Sequence, residues 1–138
     1  MTTPYDKLKA LAITLPPVGA PAAAYVPYAA SGNLIFLSGH IAKTYDSGAA
    51  KVWTGKLGDN MTTKDGNAAA RAVAIDLLGT LEAACKAAGK DLSAVKRIVK
   101  IMGLVNSAAS YTEQHLVING ASELMAEVFG STVGSHAR

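Results

Sequence analysis

Apolar residues recur at helical spacing through the middle of the chain, and this pattern predicts a long helix over Thr63–Ala88. Gly89 follows directly and provides a stop, because glycine readily adopts the left-handed conformation that ends many helices. Many of the apolar positions are alanines, which allow a close approach to a sheet. The apolar stripe consists of Ala70, Val73, Ala74, Leu77, Leu78, Leu81, Ala84, Cys85 and Ala88.

A second amphipathic helix is predicted nearer the C-terminal end. Ser110 and Glu113 have the spacing of a capping box, in which each of two side chains bonds the backbone N–H of the other residue. The helix is expected to run to about Phe129, and Gly130 closes it. One apolar stripe contains Leu116, Gly120, Leu124 and Val128, and Val117, Ala121 and Met125 widen it.

Short segments with a strand pattern come before these helices. Ala24–Ala29 and Leu34–Ser38 flank the turn residues 31–33, Ser-Gly-Asn, and this arrangement predicts a β-hairpin. Pro27 has no backbone donor, so the first strand is expected at an edge or on a bulge. Farther along the chain, Gly48 indicates a loop.

Two more strands and a short first helix complete the predicted elements. Lys51–Thr54 is predicted as a brief strand, and Arg97–Val105 is apolar on most of both faces, which is typical of a central strand. At the start of the chain, Thr3 and Pro4 favour a helix, since Thr is a good N-cap and Pro is tolerated at the first helical position. That helix is expected to continue to about Leu15, where two prolines end it.

These elements predict a single α+β domain over residues 1–138, in which residues 1–16 form an N-terminal helical extension. A strand occupies ~4.8 Å and a packed helix ~10 Å, so each of the two long helices needs about two strands beneath it. The pattern gives only three clear strands. We therefore expect at least one further strand, which either follows Arg138 or comes from another chain.

Composition narrows the class of partner. Hydrophobic residues make up 50% of the chain and charged residues 17%, which excludes an intrinsically disordered protein. The 13 Lys and Arg residues exceed the 10 Asp and Glu residues by only three, and they are scattered. The nearest approach to a basic cluster is Lys96, Arg97 and Lys100, whose spacing indicates the solvated end of a strand. We expect no nucleic-acid partner.

A membrane location is also not expected. Residues 10–42 contain no Asp, Glu, Lys or Arg, but four prolines interrupt them and their longest strongly apolar run is Leu34–Leu37. A membrane-spanning helix needs ~20 such residues. The single Cys85 lies on the apolar stripe of the first long helix, where a buried small hydrophobe is expected rather than a nucleophile. This suits a reducing compartment, and we expect a cytoplasmic protein.

No strong general motif for catalysis or metal binding is present. His40, His115 and His136 are far apart and lack the spacing of a helical or hairpin metal site. We expect no metal ion and no other cofactor unless folding gathers these residues. No GxSxG nucleophile elbow is found either.

Four features could carry chemistry, and each also has an ordinary structural explanation. Ser38, Gly39 and His40 end an apolar strand, where a glycine lets a ligand approach the backbone or simply forms a turn. Asn119 could be a hydrogen-bonding group in a pocket or an exposed amide. Tyr28 could project into a cleft or lie at the rim of the core. Arg138 offers a planar fork for a carboxylate, or is a solvated terminal arginine.

At these residues the sequence resembles the Rid family of YjgF-like reactive-intermediate deaminases, over nearly the whole chain from about Pro16 to Arg138. The resemblance rests on the order and separation of several short segments. These are Pro21-Ala22-Ala23, Pro27-Tyr28, the run from Gly32 to Gly39, Ala87-Ala88-Gly89, the run from Val95 to Lys100, Val117-Ile118-Asn119 and His136-Ala137-Arg138. The segments 55–58, 104–107 and 118–122 are typical of a divergent branch.

The resemblance implies a chorismate-mutase-like α+β fold, with a mixed sheet backed by two helices, and a homotrimer with clefts between subunits. It implies the hydrolysis of enamines or imines to keto acids and ammonia. Arg138 would bind the substrate carboxylate as the catalytic anchor. The backbone at Ser38 and Gly39 would approach the substrate, and Tyr28 and Asn119 would line the cleft.

The sequence departs from the family pattern at two places that bear on activity. His40 stands where the family usually has Gln after Ser-Gly, and its role is open. The acid that positions water in the family falls on the strand after Arg138 and cannot be assigned, and Glu123 and Glu127 fit an exposed helix face instead. A non-catalytic homotrimer that binds small carboxylates is therefore the alternative. Chorismate mutase activity would need several cations around a dianion, and the sequence offers few.

Overall fold

The computed structural model describes residues 1–46 and 49–138. It confirms an α+β chain with three α-helices and four strands in the described residues. In order, the elements are α1 (Pro4–Ala10), β1 (Tyr28–Ser31), β2 (Leu34–Leu37), β3 (Lys43–Asp46), β4 (Ala49–Val52), α2 (Thr63–Ala87), a 3-10 turn (Leu92–Ala94) and α3 (Gln114–Val133).

The strands form two antiparallel hairpins. In the first, β1 pairs with β2 so that Tyr28 faces Leu37 and Ser31 faces Leu34, and Gly32 in the turn has a φ of 58°. The predicted hairpin is confirmed, although its first strand is Tyr28–Ser31 rather than Ala24–Ala29. Pro27 lies just outside this strand, where it needs no donor, and its carbonyl accepts a bond from the backbone N–H of Ser38 at 2.9 Å.

Only the second strand of the second hairpin was predicted. The sequence pattern gave a brief strand at Lys51–Thr54, whereas the structure pairs β3 with β4, with Lys43 opposite Val52. The predicted loop at Gly48 lies outside the described residues. Lys43–Asp46 was missed because its polar residues do not alternate with apolar ones strongly enough to indicate a strand.

Helix α1 starts as predicted but ends five residues early. Thr3 and Asp6 form a capping box, with the Thr3 backbone N–H donating to Asp6 Oδ2 at 2.8 Å. The helix stops at Ala10 rather than Leu15 because Ala12 has a left-handed backbone with a φ of 54°. The chain then turns, and Ile13 packs against the core.

Helix α2 matches its prediction closely. Its N-terminal capping box is formed by Thr62 and Asp65, and the hydrogen bond from the Thr62 backbone holds the pKa of the Asp65 carboxyl below its usual value. At the other end Gly89 has a φ of 68°, as the predicted stop requires.

Helix α3 continues to Val133, past its predicted end at about Phe129, and it also begins differently. The predicted capping box at Ser110 and Glu113 is wrong, because the helix starts at Gln114 and Glu113 makes no side-chain capping bond. Glu113 instead accepts a hydrogen bond from the hydroxyl of Thr63 on α2. Near the C-terminal end of α3, Gly130 leaves helical geometry with a φ of 82°.

The prediction of a central strand at Arg97–Val105 is wrong for this single chain. The segment carries no strand and forms only an isolated bridge between Lys100 and Ala137. Its partners are the residues after α3, and the Ile101 N–H donates to the Ala137 carbonyl at 2.9 Å. No strand among the described residues pairs along the length of this segment, so several of its apolar side chains remain exposed. Val99, Met102 and Leu104 are 62%, 76% and 88% exposed.

The core lies between α2 and α3. Leu78 on α2 and Leu124 on α3 are fully buried, and α1 and the 3-10 turn close one end with Leu8 and Leu92. Cys85 is buried as predicted, and desolvation raises the pKa of its thiol, which keeps it protonated and inert. None of the helices in the described ranges is long and apolar enough to cross a bilayer.

The two helices are in close backbone contact at Gly120. A Cβ at this position would collide with the backbone carbonyl of Asn67 on α2, which a side-chain rotation cannot relieve. Beside it, the Asn67 side-chain amide donates to the Leu116 carbonyl at 3.0 Å and links α2 to the backbone of α3.

We predict that Gly120→Ala lowers the free energy of unfolding by about 1–3 kcal/mol, because the added methyl group must push α2 and α3 apart. Chemical denaturation measures the change. Gly19→Ala is the matched control, since nothing lies within 4 Å of the added Cβ there. Equal stability of the Gly120→Ala variant and the unmodified protein would contradict the close helix contact.

Candidate functional site

Arg138 and Asn119 come together on one face of α3. The Arg138 Nη1 atom donates to the Asn119 Oδ1 at 3.0 Å and to the His115 carbonyl at 3.2 Å, and lies 3.5 Å from the Ser122 hydroxyl. Residues 115, 119 and 122 share a face because they are four and three positions apart on the helix. The structure thus gives this terminal arginine a defined place on the helix.

The backbone that carries Arg138 is fixed from a second direction. The Arg97 Nε donates to the Ser135 carbonyl at 2.8 Å, and the Ala137 N–H donates to the Val99 carbonyl at 3.1 Å. The chain after α3 is therefore held alongside residues 97–101, which sets where the arginine side chain starts.

One edge of the guanidinium is available to a ligand. Within the described residues, only Nη1 of Arg138 makes hydrogen bonds, and the side chain is exposed. The Nε–H and Nη2–H donors form a fork whose spacing matches the two oxygens of a carboxylate. An arginine tethered through one nitrogen and open along the opposite edge is suited to bind a carboxylate in a fixed orientation.

His136 supports this arrangement through Ser122. The His136 Nδ1 lies 2.7 Å from the Gly134 carbonyl, which can only accept, so Nδ1 carries a proton. In the neutral imidazole Nε2 is then an acceptor, and the Ser122 hydroxyl 2.8 Å away donates to it. The lone pairs of Ser122 are left facing Arg138. A hydrogen-bonded row runs from His136 through Ser122 to the guanidinium.

A second group of predicted residues lies at the β1–β2 hairpin. Tyr28 is half-buried at the start of β1. The Ser38 hydroxyl donates to the Val26 carbonyl at 2.5 Å, so this side chain is already engaged. Gly39 is exposed, and a Cβ added there would meet nothing within 4 Å. What this group offers a ligand is open backbone at Gly39 and the side chain of Tyr28.

His40 fastens this loop to α2. Its Nδ1 lies 2.7 Å from the Ser38 carbonyl, and its Nε2 lies 2.7 Å from the hydroxyl of Thr80, which is buried. The carbonyl again requires a proton on Nδ1, so in the neutral ring Nε2 accepts from Thr80. His40 thus holds the Ser38–Gly39 turn in place.

The two groups are held by different helices. The β1–β2 hairpin packs on α2, and among the described elements it makes no contact with α3, which carries Asn119 and tethers Arg138. The structure therefore joins Arg138 with Asn119, and Ser38 with Gly39 and Tyr28. It does not bring these two groups together within one chain.

Sequence reasoning missed Thr80, Ser122 and His136 as supporting residues. Each makes a side-chain bond to a residue that is distant in sequence or beyond a helix end, which no spacing rule reveals. The sequence did offer a hydroxyl residue next to the apolar stripe of each predicted helix, Thr80 in the first and Ser122 in the second. No group of three or more His, Cys, Asp or Glu side chains suited to a metal occurs in residues 1–46 and 49–138.

Comparisons with known proteins agree with this fold. Two solved structures superpose closely on the chain. One is described as a "putative endoribonuclease" from Shewanella oneidensis MR-1, with a TM-score of 0.88, 33% identity, and coverage of 99% of this chain and 85% of that one. The other is protein Atu1372 of unknown function from Agrobacterium tumefaciens, with a TM-score of 0.81, 40% identity, and coverage of 99% and 79%.

A curated relative and a family model give the same assignment. Protein TCP17 of Trypanosoma cruzi is 45% identical over 131 residues, which cover 95% of this chain and 78% of that protein. A family model described as "YjgF/chorismate_mutase-like, putative endoribonuclease" matches residues 5–138. The fold, the relatives and the family model together show that the chain belongs to the YjgF/chorismate-mutase-like family.

Proposed function

We propose that this protein hydrolyses reactive enamines and imines that carry a carboxylate, and releases keto acids and ammonia. Membership of the family supports a small-molecule-processing role. The observation that carries the specific proposal is Arg138, which α3 holds by Nη1 and whose Nε–Nη2 edge has no partner within the described residues. This edge anchors the substrate carboxylate by two parallel hydrogen bonds.

The site is completed across a subunit boundary. Family members are commonly small-molecule-binding oligomers, and we propose a homotrimer in which the Arg138 face of one chain meets the Ser38–Gly39 turn of the next. The separation of these groups on α3 and α2 supports this arrangement. Gly39 has the space for a substrate to approach its backbone, and Tyr28 and Asn119 line the cleft.

The reaction needs little from the protein beyond orientation. The enamine takes up a proton at carbon and gives up one from nitrogen to form the imine, and water then adds to the electrophilic imine carbon, with one of its protons passing to nitrogen. The carbon–nitrogen bond then breaks, ammonia leaves with a proton from the added water, and a keto acid remains. Fixing the carboxylate on Arg138 holds the imine carbon in one place beside the water, which removes much of the entropic barrier.

The chain is proposed to act as one domain over residues 1–138, without a cofactor, in the cytoplasm. The alternative is a homotrimer that binds small carboxylates without catalysis, because no residue between Met1 and Arg138 is assigned as the acid that positions water. Release of ammonia from freshly generated 2-aminoacrylate decides between them. Ammonia release faster than the uncatalysed hydrolysis of 2-aminoacrylate supports the deaminase, whereas saturable binding of a stable analogue such as pyruvate without this acceleration supports the alternative.

We predict that Arg138→Lys lowers kcat/KM for 2-aminoacrylate by about 10- to 100-fold, since one hydrogen bond to a charged group is worth ~1.5–3 kcal/mol and lysine cannot replace the fork. The loss should appear in both KM and kcat, because the fork binds the carboxylate and also orients the imine carbon. Arg71→Lys is the matched control, because Arg71 lies on α2 and pairs with Glu127 at 2.9 Å on an exposed surface. An Arg138→Lys variant with unchanged kinetics would contradict the carboxylate anchor.

We also predict that Ser122→Ala weakens substrate binding by roughly 3- to 10-fold. Arg138 keeps its bonds to Asn119 and His115 in this variant, but it loses the contact with Ser122 and therefore the support of His136 behind it. Ser122→Thr, which keeps a hydroxyl, should restore KM. A raised KM with a constant melting temperature indicates positioning, and an effect on melting temperature alone would contradict it.

A further inference from the structure

We propose a second ligand site, for a small zwitterion of the α-amino-acid type, beside α2 and away from the residues assigned to the proposed catalytic cleft. A cavity of about 300 Å³ lies between α2, β3 and the turn after α1. Its polar lining comes from Thr14, Lys43, Thr44 and Asp76, and Ile13 and Ile75 form much of the rest. None of these residues belongs to the Arg138 group or to the Ser38–Gly39 turn.

Asp76 is the first observation that points to a ligand. Its side chain is only 6% exposed, and its Oδ2 is buried without a hydrogen-bond partner in the part of the chain that the structure describes. Buried carboxylate oxygens are nearly always paired, because an unpaired one loses its hydration without compensation. The carboxylate therefore lines a cavity with an unused hydrogen-bonding capacity.

Lys43 does not meet this need. Its Nζ lies 4.0 Å from Asp76 Oδ2, beyond hydrogen-bond distance, and its side chain remains 31% exposed. Lys43 enters from the strand β3, whereas Asp76 is fixed on α2. One charge of each sign thus lies beside the cavity, the negative one deep and the positive one toward solvent.

The side of the cavity opposite α2 includes a residue with an unfavourable backbone conformation. Ala12 is the non-glycine residue with a positive φ in the described chain, at 54°, and the Ile13 N–H is bonded to the Leu8 carbonyl at 2.9 Å. Left-handed backbone is costly for alanine and persists where the surroundings hold it. It places Ile13 and Thr14 along the cavity.

These charges define the ligand's chemistry. An ammonium group donates to Asp76 Oδ2, and a carboxylate on the adjacent carbon faces Lys43, as in a free α-amino acid. Oδ2 is shielded from solvent in the free chain, so this binding mode requires the exposed Lys43 side chain to move outward and pair with the ligand carboxylate. Ile13, Ala72 and Ile75 offer an apolar surface to the ligand side chain. The volume is at the lower limit of the ~300–1,000 Å³ usual for ligand sites, so the side chain is small and aliphatic.

The experiment is a calorimetric titration of the full chain with L-leucine. We expect saturable binding, and about 10-fold or more weaker binding of 3-methylbutylamine and of 4-methylpentanoate, each of which keeps one charged group. Asp76→Asn should weaken leucine binding by at least about 10-fold. Asp59→Asn, an exposed loop carboxylate, is the matched control and should change nothing.

Two further variants test the role of Lys43 and the independence of this site from Arg138. Lys43→Met should remove the preference for leucine over 3-methylbutylamine, because only the carboxylate contact is lost. Arg138→Ala should leave leucine binding intact, which separates this site from the proposed catalytic cleft. Loss of leucine binding in Arg138→Ala would overturn the assignment, as would leucine binding that Asp76→Asn does not affect, or no saturable binding at all.

The melting temperature of the Asp76→Asn variant separates a ligand-binding aspartate from a structural one, because the two roles predict changes in opposite directions. Asp76→Asn keeps the shape of the side chain and removes a buried charge whose Oδ2 has no hydrogen bond and whose nearest cation, Lys43 Nζ, is 4.0 Å away, so the melting temperature should stay equal or rise. A clear fall in melting temperature would show that Asp76 forms a structural ion pair with Lys43, and would overturn the proposal.

Discussion

The rest of the structure depends on the close contact between α2 and α3. Gly120 lets the backbone of α3 reach the backbone of α2 at Asn67, and the alanines at 70, 74 and 121 keep the interface thin. Leucines 78 and 124 then fill the space on one side of this contact. Because the interior is close-packed, the two helices form a rigid frame, to which Arg138 is tethered through α3 and the Ser38–Gly39 turn through α2.

At each helix, a histidine holds a loop in place by two hydrogen bonds, one to a backbone carbonyl and one to a hydroxyl of the helix. His40 bonds the carbonyl two residues before it and the hydroxyl of Thr80 on α2, and His136 does the same with Gly134 and Ser122 on α3. The carbonyl fixes the tautomer in both cases. One histidine fastens the turn at Gly39, and the other supports the residues that tether Arg138. This places His40, an unexpected residue by comparison with the family pattern, in a supporting role.

The sequence was most informative where a pattern is local. The helix over residues 63–88 was predicted almost to the residue because its periodicity and end signals all lie within it. Arg97–Val105 has the composition of a central strand, but a strand needs a neighbour, and composition does not supply one. Ser110 and Glu113 had correct spacing, yet Glu113 bonds Thr63 across the fold. The family resemblance placed Arg138 and Asn119 in one site, whereas the hydrogen bond between them and the support by Ser122 and His136 needed coordinates.

The central claim is that the active site is assembled from two chains, and mixed oligomers test it most directly. Arg138→Ala removes the carboxylate anchor, and Gly39→Val adds a branched side chain at the turn, where an added Cβ meets no atom of the chain within 4 Å. Each variant alone should be inactive. Unfolded together in equal amounts and refolded, random trimers should recover about a quarter of the wild-type ammonia release, since each cleft then draws an intact half from each variant by chance. A mixture as inactive as its components would contradict the shared site.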